Sequence, residues 1–201
     1  MIQLPKACYV NKFIPKKIFY EKLGVSSLIK EEYVNKVEKI TFLYKLSPDT
    51  IGISKTDNVE EIQIFQIDIK EKRIPLNVIK TIIKGVQYKI LFIIKYDNNT
   101  CYCAKIDDIY FSEWNIDIEF NFNAINLEIL FENIIKSLIN EKDNKKQFND
   151  IIENRKYKLE LEKKINTLRQ KRKNEKQFNR KLELNKKLNE LIKELEDMNN
   201  E

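Results

Sequence analysis

The chain reads as a mixed α/β (α+β) globular domain over residues 1–140, followed by a basic helical extension over 141–201. That extension is read as a long-helix coiled coil or a helical hairpin. Three observations point there. All three glycines and all four prolines lie before residue 86. Apolar spacing in the first part switches between the helical period and the alternation of a strand. Beyond residue 141, Leu recurs at spacings of three and four with no helix breaker between.

Taken in order, Pro5 and Pro15 make the first residues an extended lead-in, and Pro15 suits the first position of a short helix over 16–23. Gly24 supplies its stop. Ser26 or Ser27 can cap a second helix. In it Leu28, Tyr33, Val37, Ile40 and Leu43/Tyr44 recur at helical spacing, so one amphipathic helix is expected over 28–45. Ser47-Pro48 ends it. A short strand over 50–54, a turn over 55–58 and a long strand over 59–70 follow. In the long strand, Ile62 and Ile64 share one face while Phe65, Ile67 and Ile69 share the other. A bulge, or burial on both faces, would explain the switch.

After Pro75, residues 76–85 return to helical spacing and stop at Gly85. Residues 88–96 are rich in Ile and aromatics and read as a buried central strand. Asp97-Asn98-Asn99 is a turn to a hairpin partner over 100–106. A weakly alternating stretch over 110–122, around the single tryptophan Trp114, forms a further strand, and 127–139 a further helix. In the extension, Leu161, Ile165 and Leu168 form one seam and Leu184, Leu188, Leu191, Leu195 and Met198 another. Between them Arg172, Glu175 and Asn179 stand where apolar residues belong, which interrupts the seam over about 169–181. An unbroken helix of this length needs a partner for its seam, either a second protein or another copy of the chain.

Composition narrows the chemistry. The chain has no histidine, which excludes Ser-His-Asp and Cys-His catalysis, histidine metal sites and an imidazole pH switch. Three scattered glycines leave no phosphate-cradling loop and no dinucleotide fingerprint, so no small-molecule cofactor is expected. Cys8, Cys101 and Cys103 are an odd number without a leader-like segment, which points to a reducing, cytoplasmic setting. Cys101 and Cys103 share one face of a strand, but three thiols without histidine make a poor zinc site. No apolar run is long enough for a membrane span. Charge is uneven. Residues 1–140 hold 19 basic and 18 acidic groups, whereas 155–187 hold 14 and 4, and 188–201 hold 1 and 5.

Several segments carry a resemblance. Leu4-Pro5-Lys6, Val10-Asn11-Lys12, Ile14-Pro15-Lys16 and Phe19-Tyr20 open it. Lys45-Leu46-Ser47-Pro48-Asp49-Thr50 and Val59-Glu60-Glu61-Ile62-Gln63-Ile64-Phe65 continue it. Glu175-Lys176-Gln177-Phe178-Asn179-Arg180-Lys181-Leu182-Glu183-Leu184-Asn185 closes it. Together they resemble an uncharacterised bacterial domain-of-unknown-function family. The resemblance implies genes set beside helicase and DNA-methyltransferase genes in restriction-like, anti-phage defence neighbourhoods, and a helicase or methyltransferase as partner. It implies no activity.

Two constellations could carry chemistry. Pro48-Asp49 followed by Asp68-Ile69-Lys70 has the spacing of a PD-(D/E)xK nuclease, in which two carboxylates hold Mg²⁺ and the lysine orients or activates water. Alternation puts Asp68 and Lys70 on one strand face, and a helical carboxylate such as Glu38 could complete the site. Asp-x-Lys is also a common triplet among 32 lysines, and Ser-Pro-Asp-Thr is ordinary turn chemistry. The second constellation is the basic block: Lys163, Lys164, Arg169, Lys171, Arg172, Lys173, Lys176, Arg180 and Lys181 could contact nucleic-acid phosphates or form a solvated helix face. Phe178 is a knob at the interruption. With Leu184, Leu188, Leu191 and Leu195 it makes a candidate partner-binding set. The expected role is a non-enzymatic accessory subunit of a DNA-directed defence complex, with no cofactor. The alternative is a Mg²⁺-dependent nuclease acting through Asp49, Asp68 and Lys70.

Overall fold

The computed structural model describes residues 4–139 and 147–200, so the boundary expected at 140–141 lies outside the described residues. The chain divides into two compact units, Met1–Lys142 and Asp143–Glu201.

The first unit is built on one six-stranded sheet whose spatial order follows the chain: β1 (Tyr9–Phe13), β2 (Val37–Leu46), β3 (Ile62–Ile69), β4 (Lys89–Tyr96), β5 (Asn99–Lys105) and β6 (Ile109–Phe111). All neighbours are antiparallel except β3 and β4. A parallel pair needs a crossover, and α4 (Leu76–Gly85) supplies it. Strands β4 and β5 are joined by Asp97-Asn98, with Asp97 at φ +47°.

Burial explains the face switch in β3. Phe65, Ile67 and Ile69 join Phe92 and Ile94 of β4 and Cys101 and Cys103 of β5 in one core cluster. Phe19 of α1 (Lys17–Lys22), Tyr33 of α2 (Ser27–Lys36) and Val78, Ile79 and Ile82 of α4 pack on it. Alternation sends Ile62, Ile64, Leu91 and Ile93 to the opposite face, where they are buried too. That side carries α5 (Leu127–Leu138), which packs against β5 and β6. Strand β3 is therefore buried on both faces, and its register with β4 runs without a bulge.

Four expectations change. The helix over 28–45 is only α2, and the chain enters β2 at Val37. Val37, Ile40, Thr41, Phe42 and Tyr44 are β-branched or aromatic, and as β2 they gain ladder partners in both β1 and β3. Leu28, read as part of the apolar face, is 77% exposed. The strand over 50–54 is instead a one-turn helix, α3 (Pro48–Ile51). A capping box between Ser47 and Thr50 holds it, and Gly52 at φ +73° stops it. Only Ser54 joins a bridge, with Asn126. The lead-in contributes a sheet member, β1. The strand over 110–122 shrinks to β6.

In the second unit two long helices, α6 (Phe148–Asn174) and α7 (Phe178–Asn200), are separated by residues 175–177, inside the expected interruption. They pack on each other. Tyr157 hydrogen-bonds Glu194, and Arg172 Nη1 donates to Asn185 Oδ1 at 2.8 Å, so the helices run antiparallel as a hairpin. Leu161 and Ile165 of α6 and Leu188 of α7 are buried.

Candidate nucleic-acid interface and the dispersed acidic residues

The register of β2 and β3 decides where the carboxylates stand. Leu46 faces Ile62 at one end of the pair and Lys39 faces Asp68 at the other. Asp49 follows β2 beyond Leu46, in the first turn of α3, and is exposed. Asp68 is six residues along β3 from Ile62, about 20 Å at the rise of a strand. Two carboxylates sharing one Mg²⁺ at about 2.1 Å from each oxygen must nearly touch, and the structure does not bring Asp49 to Asp68.

Asp68 is half-buried, accepts a hydrogen bond from Gln66 Nε2 at 2.8 Å, and has Lys39 and Lys95 beside it in register on the two neighbouring strands. Lys70 turns its ammonium away to Val34 O of α2, at 2.8 Å. Glu38 lies in β2, not on a helix, at a register irregularity between Val37 and Lys39. Lys16 Nζ donates to Val37 O at 2.7 Å. Burial, then the nearby Lys70, pulls the Lys16 pKa down, and Glu38 opposes that. Among the described residues no group of three His, Cys, Asp or Glu could hold a metal ion.

Cys101 and Cys103 do share a face, and that face is the core. Burial pushes both thiols up, and Cys101 Sγ donates to Ser112 O at 3.3 Å. Trp114 is half-buried at the edge of the same cluster, with Lys72 Nζ 5.5 Å over its ring. At the opposite end of the sheet from Asp68, a cleft of about 540 Å³ is lined by Asp57, Glu60, Glu61, Lys89 and Lys105. Its mixed charge selects no one ligand class.

The hairpin turn is different in kind. Between residues 163 and 181 it carries nine basic groups and one acidic one, Glu175. Lys163, Lys164, Arg169, Lys171, Lys173, Lys176, Arg180 and Lys181 are exposed, whereas Arg172 is half-buried on Asn185. Helix packing explains the split. Arg172 occupies a seam position, while Lys163 projects from the far side of α6 and Lys164 and Lys171 from its flank. Glu175 is occupied locally: its Oε1 accepts the backbone N–H of Lys176 at 2.8 Å and of Gln177 at 2.9 Å. The Gln177 N–H foremost, and the Arg180 and Lys181 charges, hold its carboxyl below the usual range. The turn thus presents cations with little internal neutralisation.

Of the five residues set out for a partner, Leu188 is buried and Leu184, Leu191 and Leu195 are half-buried, on the face of α7 that meets α6. Phe178, the first residue of α7, stays 74% exposed. Sequence reasoning missed Leu182, which is 52% exposed one turn further on. Its i, i+4 spacing from Phe178 was the available signal.

A family model described as a domain of unknown function, DUF4391, matches residues 2–195. No curated protein and no solved structure matches the chain.

Proposed function

We propose that this chain, which belongs to the DUF4391 family through a match over nearly its whole length, is a non-enzymatic accessory subunit of a bacterial DNA-directed defence complex of restriction-like kind. In this reading the helical hairpin presents the DNA-facing surface and the α/β unit is a docking module for a helicase, a DNA methyltransferase or a second copy of the chain. One observation carries it: nine basic groups against one acidic group around the hairpin turn, eight of the nine exposed. Such a cluster repels itself and is relieved by a polyanion, whose condensed counterions are released on contact. The gene neighbourhood implied by the resemblance supports DNA as that polyanion. The nuclease alternative on Asp49, Asp68 and Lys70 gains no comparable support, because the strand register sets the first two apart.

Fluorescence anisotropy with a labelled 30-bp duplex between 50 and 200 mM salt tests the DNA contact. About five to seven neutralised phosphates give a slope of log affinity against log salt near −5 to −6. Co-expression with neighbouring helicase and methyltransferase genes, followed by affinity capture, tests the assembly. A chain that purifies alone and shows no duplex binding at 50 mM salt overturns the proposal.

A further inference from the structure

Resting on the DNA-facing reading above, we infer that Phe178 and Leu182 form an apolar wedge by which the hairpin turn opens the minor groove of B-form DNA. Helix α6 ends at Asn174 and α7 begins at Phe178, so the ring of Phe178 lies at the extremity of the hairpin with neither helix beyond it. Leu182 continues the same stripe of α7, about 120° around the helix from Leu188 and about 160° from Leu184. Neither side chain has a place in the hairpin interior, so whatever desolvates them comes from outside.

The surroundings specify what that is. A minor groove is about 6 Å wide, too narrow for a helix about 10 Å across, but it admits single side chains such as Phe and Leu from a helix end laid over it. In the turn or within six residues of it stand Arg169, Lys171, Lys173, Lys176, Arg180 and Lys181, all exposed. With only the Phe178 and Leu182 side chains entering the groove, the end of the hairpin would lie across its mouth and set these cations against the phosphates of both strands. Immediately around Phe178 are the amides of Asn174, Gln177 and Asn179, also exposed. Amide side chains read minor-groove base edges, and Phe and Leu are side chains that part a base step there. An anionic bilayer would attract the same cations. Burying Phe178 in hydrocarbon, however, would drag those three amides out of water without partners. Base steps flanked by two phosphate rows satisfy the apolar, amide and cationic groups together.

The closing experiment uses the full chain and a 30-bp duplex carrying a donor and an acceptor fluorophore at its ends. Wild-type protein should bring the ends together, and a minor-groove-binding polyamide should compete. Phe178→Ala with Leu182→Ala should remove most of that bend and weaken duplex binding about tenfold, with the salt slope unchanged. Lys171→Gln with Lys173→Gln should instead lower the slope by about two. Both pairs are exposed, and an unchanged helical melting curve confirms that the variants fold. If the wild type binds duplex with a steep salt slope but the wedge variant bends and binds it equally well, the wedge is overturned while the DNA-facing reading stands. If the wild type does not bind duplex at 50 mM salt, the DNA-facing reading itself falls. Phe178-dependent binding that prefers single strands, duplex RNA or phosphatidylserine vesicles also overturns the inference.

Discussion

The junction of α2 and β2 offers a direct test of what Lys70 does. Helix α2 ends at Lys36 and passes straight into an extended residue, Val37, with no glycine to turn the chain. Its last carbonyls therefore need other donors. Lys70 Nζ donates to Val34 O at 2.8 Å, Lys70 N to Lys36 O at 2.9 Å, and Lys16 Nζ to Val37 O at 2.7 Å. Lys70→Met keeps most of the stem and removes the charge and its hydrogen bond. A hydrogen bond nets about 0.5–1.5 kcal/mol and a cation at a helix C-terminus about 0.3–1 kcal/mol. Because Lys70 is exposed, solvent screening puts the total near 1 kcal/mol, or about 4 °C in melting temperature. Lys16→Met should cost a similar amount. The two ammonium groups repel, since Lys70 is among the causes that lower the Lys16 pKa, so removing either relieves the other. The double variant should consequently lose more than the sum of the singles. Urea unfolding followed through Trp114, the single tryptophan, reads all four corners of the cycle. A Lys70→Met chain within about 0.3 kcal/mol of wild type would refute the capping argument and free Lys70 for another role.

Three further outcomes follow from the same geometry. Ile67→Ala, at a fully buried position in the centre of β3, should cost about 2–5 kcal/mol in urea unfolding; a loss under 1 kcal/mol would contradict its core placement. Thr50→Val should cost about 1 kcal/mol, because Thr50 Oγ1 accepts from Ser47 N at 2.9 Å and donates to Lys45 O at 2.8 Å. Asp49→Asn should fall within about 0.5 kcal/mol of wild type, and reversal of that order would show that Asp49 is the constrained residue. In alkali, burial raises the folded pKa of Cys8, Cys101, Cys103, Tyr33 and Tyr102. The unfolded thiols, at 9.0, release protons that the folded state retains, so this stability is complete below pH 9 and is lost as pH rises above it. Lys16, lowered by burial, works the other way, but it is one group against five. The urea midpoint should drop between pH 8 and 10.5, and a rise would refute the assignment.

Much of the α/β unit was legible because its strongest elements carry unambiguous patterns. In α4 the residues Val78, Ile79 and Ile82 make a clean helical face, and β4 is apolar from Ile90 to Ile94 because both its faces are buried. Strand β2 was illegible because Val37, Ile40 and Tyr44 fit a helical period as well as a strand. Its two register irregularities also blur the alternation that would have revealed it. Strand β1 is an edge strand exposed at all five residues, so burial imprinted no alternation on it. The error in β2 propagated to the candidate site. Reading Asp49 as the head of the hairpin partner of β3 placed it near Asp68. The real partner is β2, which precedes Asp49 and carries it to the opposite end of the sheet.

Burial of β3 on both faces constrains where this unit can act. Ile62, Ile64, Phe65, Ile67 and Ile69 are buried, and the polar side chains between them, Gln63 and Gln66, are uncharged and half-buried. The charged side chains of β3 and its neighbours gather toward the two ends of the strands, one lined by Asp57, Glu60, Glu61, Lys89 and Lys105, the other by Lys39, Asp68 and Lys95. Each end mixes both signs, in keeping with 19 basic and 18 acidic groups over residues 1–140. A near-neutral surface of that kind generates little long-range field, whereas the excess of ten positive charges over residues 155–187 generates a strong one. Any long-range electrostatic steering of an anionic partner would therefore come from the helical hairpin and not from the near-neutral α/β unit.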